Sequence, residues 1–150
     1  MGVLREVVET DLPVLYEYER EPEAAAMAAF PSRERDAFMA HWAKTLANDS
    51  AITRAIVVDD EVVGNIGCWE SEGRRFVGYW IGREHWGRGF ATQALSELVG
   101  EVVDVRPIYA YVVKSNVGSI RVLEKCGFVQ VDEHTGDDGV VEVLLELPGG

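Results

Sequence analysis

Trp86-Gly87-Arg88-Gly89-Phe90-Ala91-Thr92 is the stretch from which the rest of the chain is read. It joins a strand-like run, Phe76 to Gly82, to a helix-like run, Phe90 to Val103. Its two glycines permit sharp turns and keep side chains away from whatever approaches the peptide groups. The first N–H groups of the following helix have no intrahelical partner, and the positive end of the helix dipole lies behind them. Such a loop suits a phosphate or pyrophosphate, and it is equally an ordinary tight turn. Seven residues alone leave both readings open.

Charge favours the first. The 150 residues carry 26 acidic and 14 basic side chains, a net charge of −12. That balance argues against nucleic acid, whose phosphates need clustered Lys and Arg. Seven of the 14 cations nevertheless fall in two short stretches, Arg74 to Arg88 and Lys114 to Lys125, which hold only two acids, Glu84 and Glu124. Two positive islands on an acidic protein, one beside the glycine loop, fit a small polyanionic ligand. At 47% hydrophobic and 150 residues the chain suits one domain, residues 1–150, with a real core. It shows no repeats, no apolar run of membrane-spanning length and no signal-peptide core. A cytoplasmic protein without a membrane partner is expected. Cys68 and Cys126 make no disulfide framework and read as reduced thiols.

Outward from the loop, Pro107 to Val113 reads as a strand. Asn116 to Lys125 reads as a helix capped by Asn116 and stopped by Gly127. Phe128 to Glu133 and Val140 to Leu147 read as two strands around the turn Thr135 to Gly139. Upstream, Ala51 to Val58, Val62 to Trp69 and Arg75 to Gly82 read as consecutive antiparallel strands, joined by Asp59-Asp60-Glu61 and by Glu70 to Gly73. Gly64 and Gly67 signal a bulge or a close backbone approach. At the N-terminus a strand, Leu4 to Val8, precedes a helix with Thr10 as cap and Pro13 in its first turn, ending before Pro22. Glu23 to Phe30 is Ala-rich and helical, Pro31-Ser32 breaks it, and a helix follows from Glu34 to Ala47. His41 and Trp42 on that helix are either pocket lining or core and its edge. The order β-α-α-β-β-β-α-β-α-β-β predicts an α+β, three-layer fold, a mixed and mainly antiparallel sheet with helices on both faces. Pro148-Gly149-Gly150 is expected to fray. His41, His85 and His134 are scattered, with no metal-ligand spacing, so no metal is expected.

Three pieces of the chain resemble the GCN5-related N-acetyltransferases, most closely the branch of ribosomal-protein N-terminal acetyltransferases. Gly78-Tyr79-Trp80-Ile81-Gly82 resembles the family's central strand. Trp86 to Thr92 is similar to its pyrophosphate loop, Gln/Arg-x-x-Gly-x-Gly/Ala, although Trp86 stands at the first position. Asn116-x-x-Ser119 with Leu123-Glu124-Lys125-Cys126-Gly127-Phe128 resembles its second cofactor motif. The resemblance implies acetyl-coenzyme A as donor, its pyrophosphate on the backbone N–H groups of Gly87, Arg88, Gly89, Phe90, Ala91 and Thr92. Arg88 and Arg83 would add charge. It also implies two strands splayed apart, so that Tyr79, Trp80 and Ile81 offer peptide groups to the pantetheine arm, with an N–H near Ile81 facing the thioester oxygen. Asn116 would bond the pantetheine or a linking water.

The implied reaction is direct attack of a neutral amine on the thioester in a ternary complex, which needs a proton acceptor and a donor for the departing thiolate. Ser119 is the candidate donor. Many relatives use a tyrosine four residues after this serine; Leu123 stands there, as also happens in the ribosomal-protein branch. Glu70 and Tyr79 are the candidate acceptors, and neither is unambiguous. The implied acceptor is a protein or peptide N-terminal amine; the negative charge equally suits a small cationic amine of polyamine or aminoglycoside type. The region from 20 to 50 and the loop from 134 to 139 carry no decodable motif, only acids such as Glu19, Glu21, Glu23, Asp132 and Glu133. The missing tyrosine keeps open a second reading, a non-catalytic acyl-CoA sensor. Either a monomer or a homodimer is compatible, the latter through an exposed edge in the C-terminal hairpin.

Overall fold

The computed structural model describes residues 3–27, 34–48 and 50–149. Seven strands form one sheet in the order β1-β2-β3-β4-β5-β7-β6. They are β1 (Leu4–Glu6), β2 (Ile52–Val58), β3 (Glu61–Ser71), β4 (Arg74–Ile81), β5 (Ile108–Val113), β6 (Val129–Thr135) and β7 (Val141–Leu147). The helices are α1 (Leu12–Arg20), α2 (Pro22–Met27), α3 (Arg35–Leu46), α4 (Phe90–Glu97) and α5 (Val117–Lys125). Every strand pair is antiparallel except β4–β5. One apolar cluster lies under α4 and α5, centred on Ile66, Leu95, Leu98, Leu123 and Leu145. A second joins Leu12, Leu15, Phe38 and Trp42 of α1 and α3 to Ala55 on the other face. The expected three layers are therefore present.

The two upstream hairpins follow from their turn chemistry. Asp59 and Asp60 take φ +51° and +65°, and Glu72 and Gly73 take +51° and +78°. Two consecutive left-handed residues make the turn whose twist matches that of its strands. The bulge signalled by glycine sits at Gly64: Ile56 opposes Gly64 and Val57 opposes Val62, leaving Val63 extra in β3. A Cβ on Gly64 would run into the Trp80 carbonyl of β4. The glycine is needed there because the β4 backbone approaches so closely.

At the helix ends one expectation is corrected. Thr10 is not the cap of α1; a 3-10 turn, Glu9–Asp11, precedes the helix and Asp11 occupies its N-cap position. The Asp11 carboxylate accepts from the Val8 N–H at 2.9 Å and from both Arg5 terminal nitrogens at 2.8 and 2.9 Å. That group ends β1 two residues early. The Ala-rich helix runs Pro22–Met27, while its expected extension to Phe30 and the Pro31-Ser32 break lie outside the described residues. The helix after the glycine loop ends in a π turn, Leu98–Val102, whose carbonyl at Val99 accepts from Arg106 at 2.5 Å.

Asp11 is buried, and the Arg5 guanidinium first, then the Val8 N–H, hold its carboxyl below the ordinary value. Asp11→Ala is expected to cost about 2 kcal/mol at pH 7, the loss of charge-assisted hydrogen bonds. Because the folded carboxyl titrates below the unfolded one, its contribution is present above the usual carboxylate range and fades as pH falls through the folded value. Urea midpoints of wild type and variant should therefore differ at pH 7 and converge as pH falls through the lowered value of the folded carboxyl.

Candidate active site

The site begins where β4 and β5 stop pairing. They are hydrogen-bonded in parallel only at Arg75–Ile108 and Phe76–Tyr109, and diverge beyond. The Gly82 N–H donates to the Val63 carbonyl of β3 at 2.8 Å. Peptide groups alternate along a strand, so those of Ile81 and Tyr79 turn the other way, toward the gap. One of them is already taken: the Trp86 indole N–H donates to the Ile81 carbonyl at 3.0 Å. Trp86 thus ties the glycine loop to the end of β4, and the Ile81 N–H is left facing the opening.

The loop itself is an open cradle. Gly87 and Gly89 take φ +78° and +80°, and a Cβ on either would meet nothing within 4 Å. Gly89 is the N-cap of α4 and supplies no side-chain cap, so the first N–H groups of the helix remain available to a ligand. Between this loop, the end of β4 and α5 lies a cleft of about 560 Å³. Of the residues picked from the sequence it brings together Tyr79, Trp80, Ile81, Trp86, Gly87, Gly89, Phe90, Ala91, Thr92, Asn116 and Ser119.

Asn116 caps α5, its Oδ1 accepting the Ser119 N–H at 3.3 Å. One turn on, the Ser119 hydroxyl lies 2.5 Å from the Tyr79 hydroxyl. The phenol reaches across from β4, so strand and helix meet at this hydrogen bond. Burial pushes Tyr79 up to about 12, against the opposing effect of the Ser119 bond. A phenol that holds its proton this tightly is a donor at neutral pH, which speaks against Tyr79 as the proton acceptor.

Three expected residues lie elsewhere. Glu70 opposes Arg75 in register, four residues along from Tyr79, about 13 Å at the usual rise per residue. Its exposed carboxylate pairs with Arg75 at 3.9 Å and does not line the cleft. Arg83 is bound to Glu23 of α2 at 2.8 Å and stacks 4.9 Å above the Trp86 ring, bracing the loop from outside. Arg88 is exposed and lies beyond the lining. The cations that do line the cleft are Arg121 and Lys125 of α5, in the second positive stretch. Their spacing with Gly118 puts them on one helix face, the signal that would have placed them. Trp42 is core, and His41 is exposed on α3, outside the cleft.

Sequence reasoning also passed over His85. It is buried in the cleft wall, with Nε2 3.3 Å from the Tyr18 hydroxyl and 3.2 Å from the Glu61 carboxylate. Tyr18 donates to the Val62 carbonyl at 2.6 Å, so its oxygen accepts from the imidazole. This group joins α1 to the end of β4. Burial raises both Cys68 and Cys126, so neither is a thiolate nucleophile. Among the described residues no His, Cys, Asp and Glu group could hold a metal ion, and no helix is long and apolar enough to cross a membrane.

Residues 3–129 match the family model described as acetyltransferase (GNAT) domain. The chain is 31% identical over 139 residues to the uncharacterized N-acetyltransferase p20 of Bacillus licheniformis, covering 83% of this chain and 77% of the relative. The spermidine N-acetyltransferase of Vibrio cholerae, solved with CoA and spermine, superposes with a TM-score of 0.82 at 16% identity, covering 97% of this chain and 94% of the other. The ribosomal-protein alpha-N-acetyltransferase RimL, solved with coenzyme A, does so with a TM-score of 0.80 at 17% identity, covering 95% and 91%. Such identities establish a common fold and leave the acceptor open. With its whole central region inside the family model, the chain belongs to the GNAT family and is an N-acetyltransferase.

Proposed function

We propose that this protein transfers acetyl from acetyl-coenzyme A to a primary amine by direct attack in a ternary complex. One observation carries the reading: the cleft has the open glycine cradle at one end and the Tyr79–Ser119 hydroxyl pair, beside the unpaired end of β4, at the other. The backbone N–H groups from Gly87 to Thr92 bind the pyrophosphate, and Arg121 and Lys125 add positive charge along the same wall. The peptide groups of Tyr79 that face the gap, with the Asn116 amide, orient the pantetheine. The donor supplies an activated acyl group. The Ile81 N–H stabilises charge developing on its carbonyl oxygen. Ser119 protonates the departing sulfur, and Tyr79 restores the serine proton through their hydrogen bond.

For the acceptor, the resemblance to the ribosomal-protein branch favours a protein or peptide N-terminus. The net charge of −12 favours a small cationic amine as the second reading. The test is calorimetric titration with acetyl-coenzyme A, followed by thiol-release assays over peptides with free N-termini, polyamines and aminoglycosides. Micromolar binding with release on one amine class is the expected result. Binding without release on any amine would favour a sensor, and no binding would remove the loop assignment.

A further inference from the structure

Five residues, Gly82 to Trp86, separate Ile81 from Gly87, where the cradle begins. Within them Arg83–His85 form a 3-10 turn, closed by the His85 N–H on the Gly82 carbonyl at 2.8 Å. In the acetyl-transfer reading the two ends of this span hold different parts of the donor. The cradle takes the pyrophosphate, and the Ile81 N–H meets the thioester oxygen. The turn between them therefore sets how well one ligand can satisfy both.

Arg83 and Glu84 of the turn are exposed, while His85 is buried. Its Nε2 faces the Tyr18 hydroxyl of α1 and the Glu61 carboxylate at the start of β3, at 3.3 and 3.2 Å, with Glu84 farther off at 3.8 Å. Its ring packs against Phe90 at the head of α4, 6.4 Å between centroids. These partners fix the tautomer. Burial first, then Glu84 and Glu61, push Tyr18 up to about 12, so the phenol keeps the proton it gives to Val62. A carboxylate only accepts. Nε2 therefore carries the hydrogen, shared between two oxygens. Nδ1 is left as a buried lone pair with no partner among the described residues. A phenylalanine ring would fill the space and strand no polar atom, so what histidine adds is the Nε2–H link.

Tyr18 braces the other end of the same turn. Its carbonyl accepts from the Trp80 indole at 3.1 Å, and its ring lies 2.6 Å from where a Cβ on Gly82 would stand. The residue after Ile81 is thus packed on Tyr18, and His85 holds Tyr18 from three residues further on.

We infer that His85 is a positioning residue for acetyl transfer: held as the Nε2–H tautomer by Tyr18 and Glu61, it sets the spacing between the glycine cradle and the Ile81 N–H. This rests on the acetyl-transfer reading above. Losing the link lets the turn shift while the cradle keeps its own peptide groups. The loss then falls on alignment of the thioester rather than on affinity, and a misplacement of about 1 Å costs about 100-fold in rate.

The experiment uses 15N-labelled protein saturated with coenzyme A or with acetyl-coenzyme A. In wild type, long-range 1H–15N correlation is expected to show His85 in the Nε2–H form. The Ile81 amide proton should move downfield with acetyl-coenzyme A relative to coenzyme A, as an N–H does on meeting an acceptor oxygen. In His85→Phe most of that shift should be lost, with coenzyme A affinity within about threefold of wild type by calorimetry. In His85→Gln, whose amide N–H reaches toward the same oxygens, it should return. Glu61→Ala, at an exposed position, removes one of the two acceptors and should lose part of the shift with the fold intact. With a turned-over amine, kcat should fall about 100-fold in His85→Phe while KM for acetyl-coenzyme A stays within about threefold, and His85→Gln should recover most of the rate. An Nδ1–H ring in wild type, an Ile81 shift unchanged in both His85→Phe and Glu61→Ala, or affinity lost in parallel with kcat would overturn the inference. Wild type that fails to bind coenzyme A, or that binds acetyl-coenzyme A with no response at Ile81, would instead remove the reading beneath it.

Discussion

Gly89→Asp is expected to weaken acetyl-coenzyme A binding about 30- to 1000-fold while leaving the protein folded. Gly89 has φ +80° and ψ 9° at the N-cap of α4. Aspartate tolerates the left-handed region better than most residues, at a cost of about 1–2 kcal/mol, and its carboxylate suits the positive end of a helix dipole. Nothing lies within 4 Å of the added Cβ, so the side chain has room. The new negative charge, however, occupies the cradle proposed for the pyrophosphate. Repulsion of about 2–4 kcal/mol at surface dielectric values corresponds to about a 30- to 1000-fold loss of affinity. Gly89→Ala carries at least as much backbone strain without the charge and should lose far less. Calorimetry on both variants, with thermal melts as a folding check, separates the two causes. Equal losses would mean that loop conformation rather than anion binding is what the glycine protects.

The second large effect is expected at the hydroxyl pair. Ser119→Ala should lower kcat about 100-fold, the usual contribution of one positioned proton donor, with coenzyme A affinity little changed. Tyr79→Phe should lower kcat as well, but less, since Ser119 keeps its own proton to give. The double variant should fall no further than Ser119→Ala, because the two act in series. Wild type should not gain activity from tyrosinate below pH 12, since burial holds Tyr79 protonated to about 12. By linkage the buried phenol costs stability between the ordinary tyrosine value of 10 and about 12, where the unfolded chain has lost its proton and the folded one has not. Alkaline unfolding of wild type should therefore begin earlier than that of Tyr79→Phe. Unchanged turnover in Ser119→Ala would reduce that hydroxyl to a packing role.

Local chemistry made most of the fold legible. The aspartate and glycine turns, the proline at the start of α1, the Asn116 cap and the Gly127 stop each act over a few residues, so their spacing alone located the elements. The errors fell where a distant group intervened. Thr10 has a good cap's chemistry, but Arg5 draws Asp11 into the position instead. Glu70 looked like a candidate because turn carboxylates near a central strand are cheap to propose; only register shows that it faces Arg75 at the wrong end.

The sequence by itself determined the family, the layered sheet, the two left-handed glycines of the loop and the Asn116 cap of the helix that carries Ser119, because each depends on short-range turn and capping chemistry or on a contiguous motif. Tertiary structure alone decided what surrounds that motif. Leu123, at the usual tyrosine position, is buried in the core, and the phenol beside Ser119 comes from Tyr79, 40 residues away on β4. Arg121 and Lys125, rather than Arg83 and Arg88, turn toward the cleft, because helix phase and the Glu23 contact set their directions. Strand order and register act between residues far apart in sequence, and no local pattern encodes which side chains they bring together.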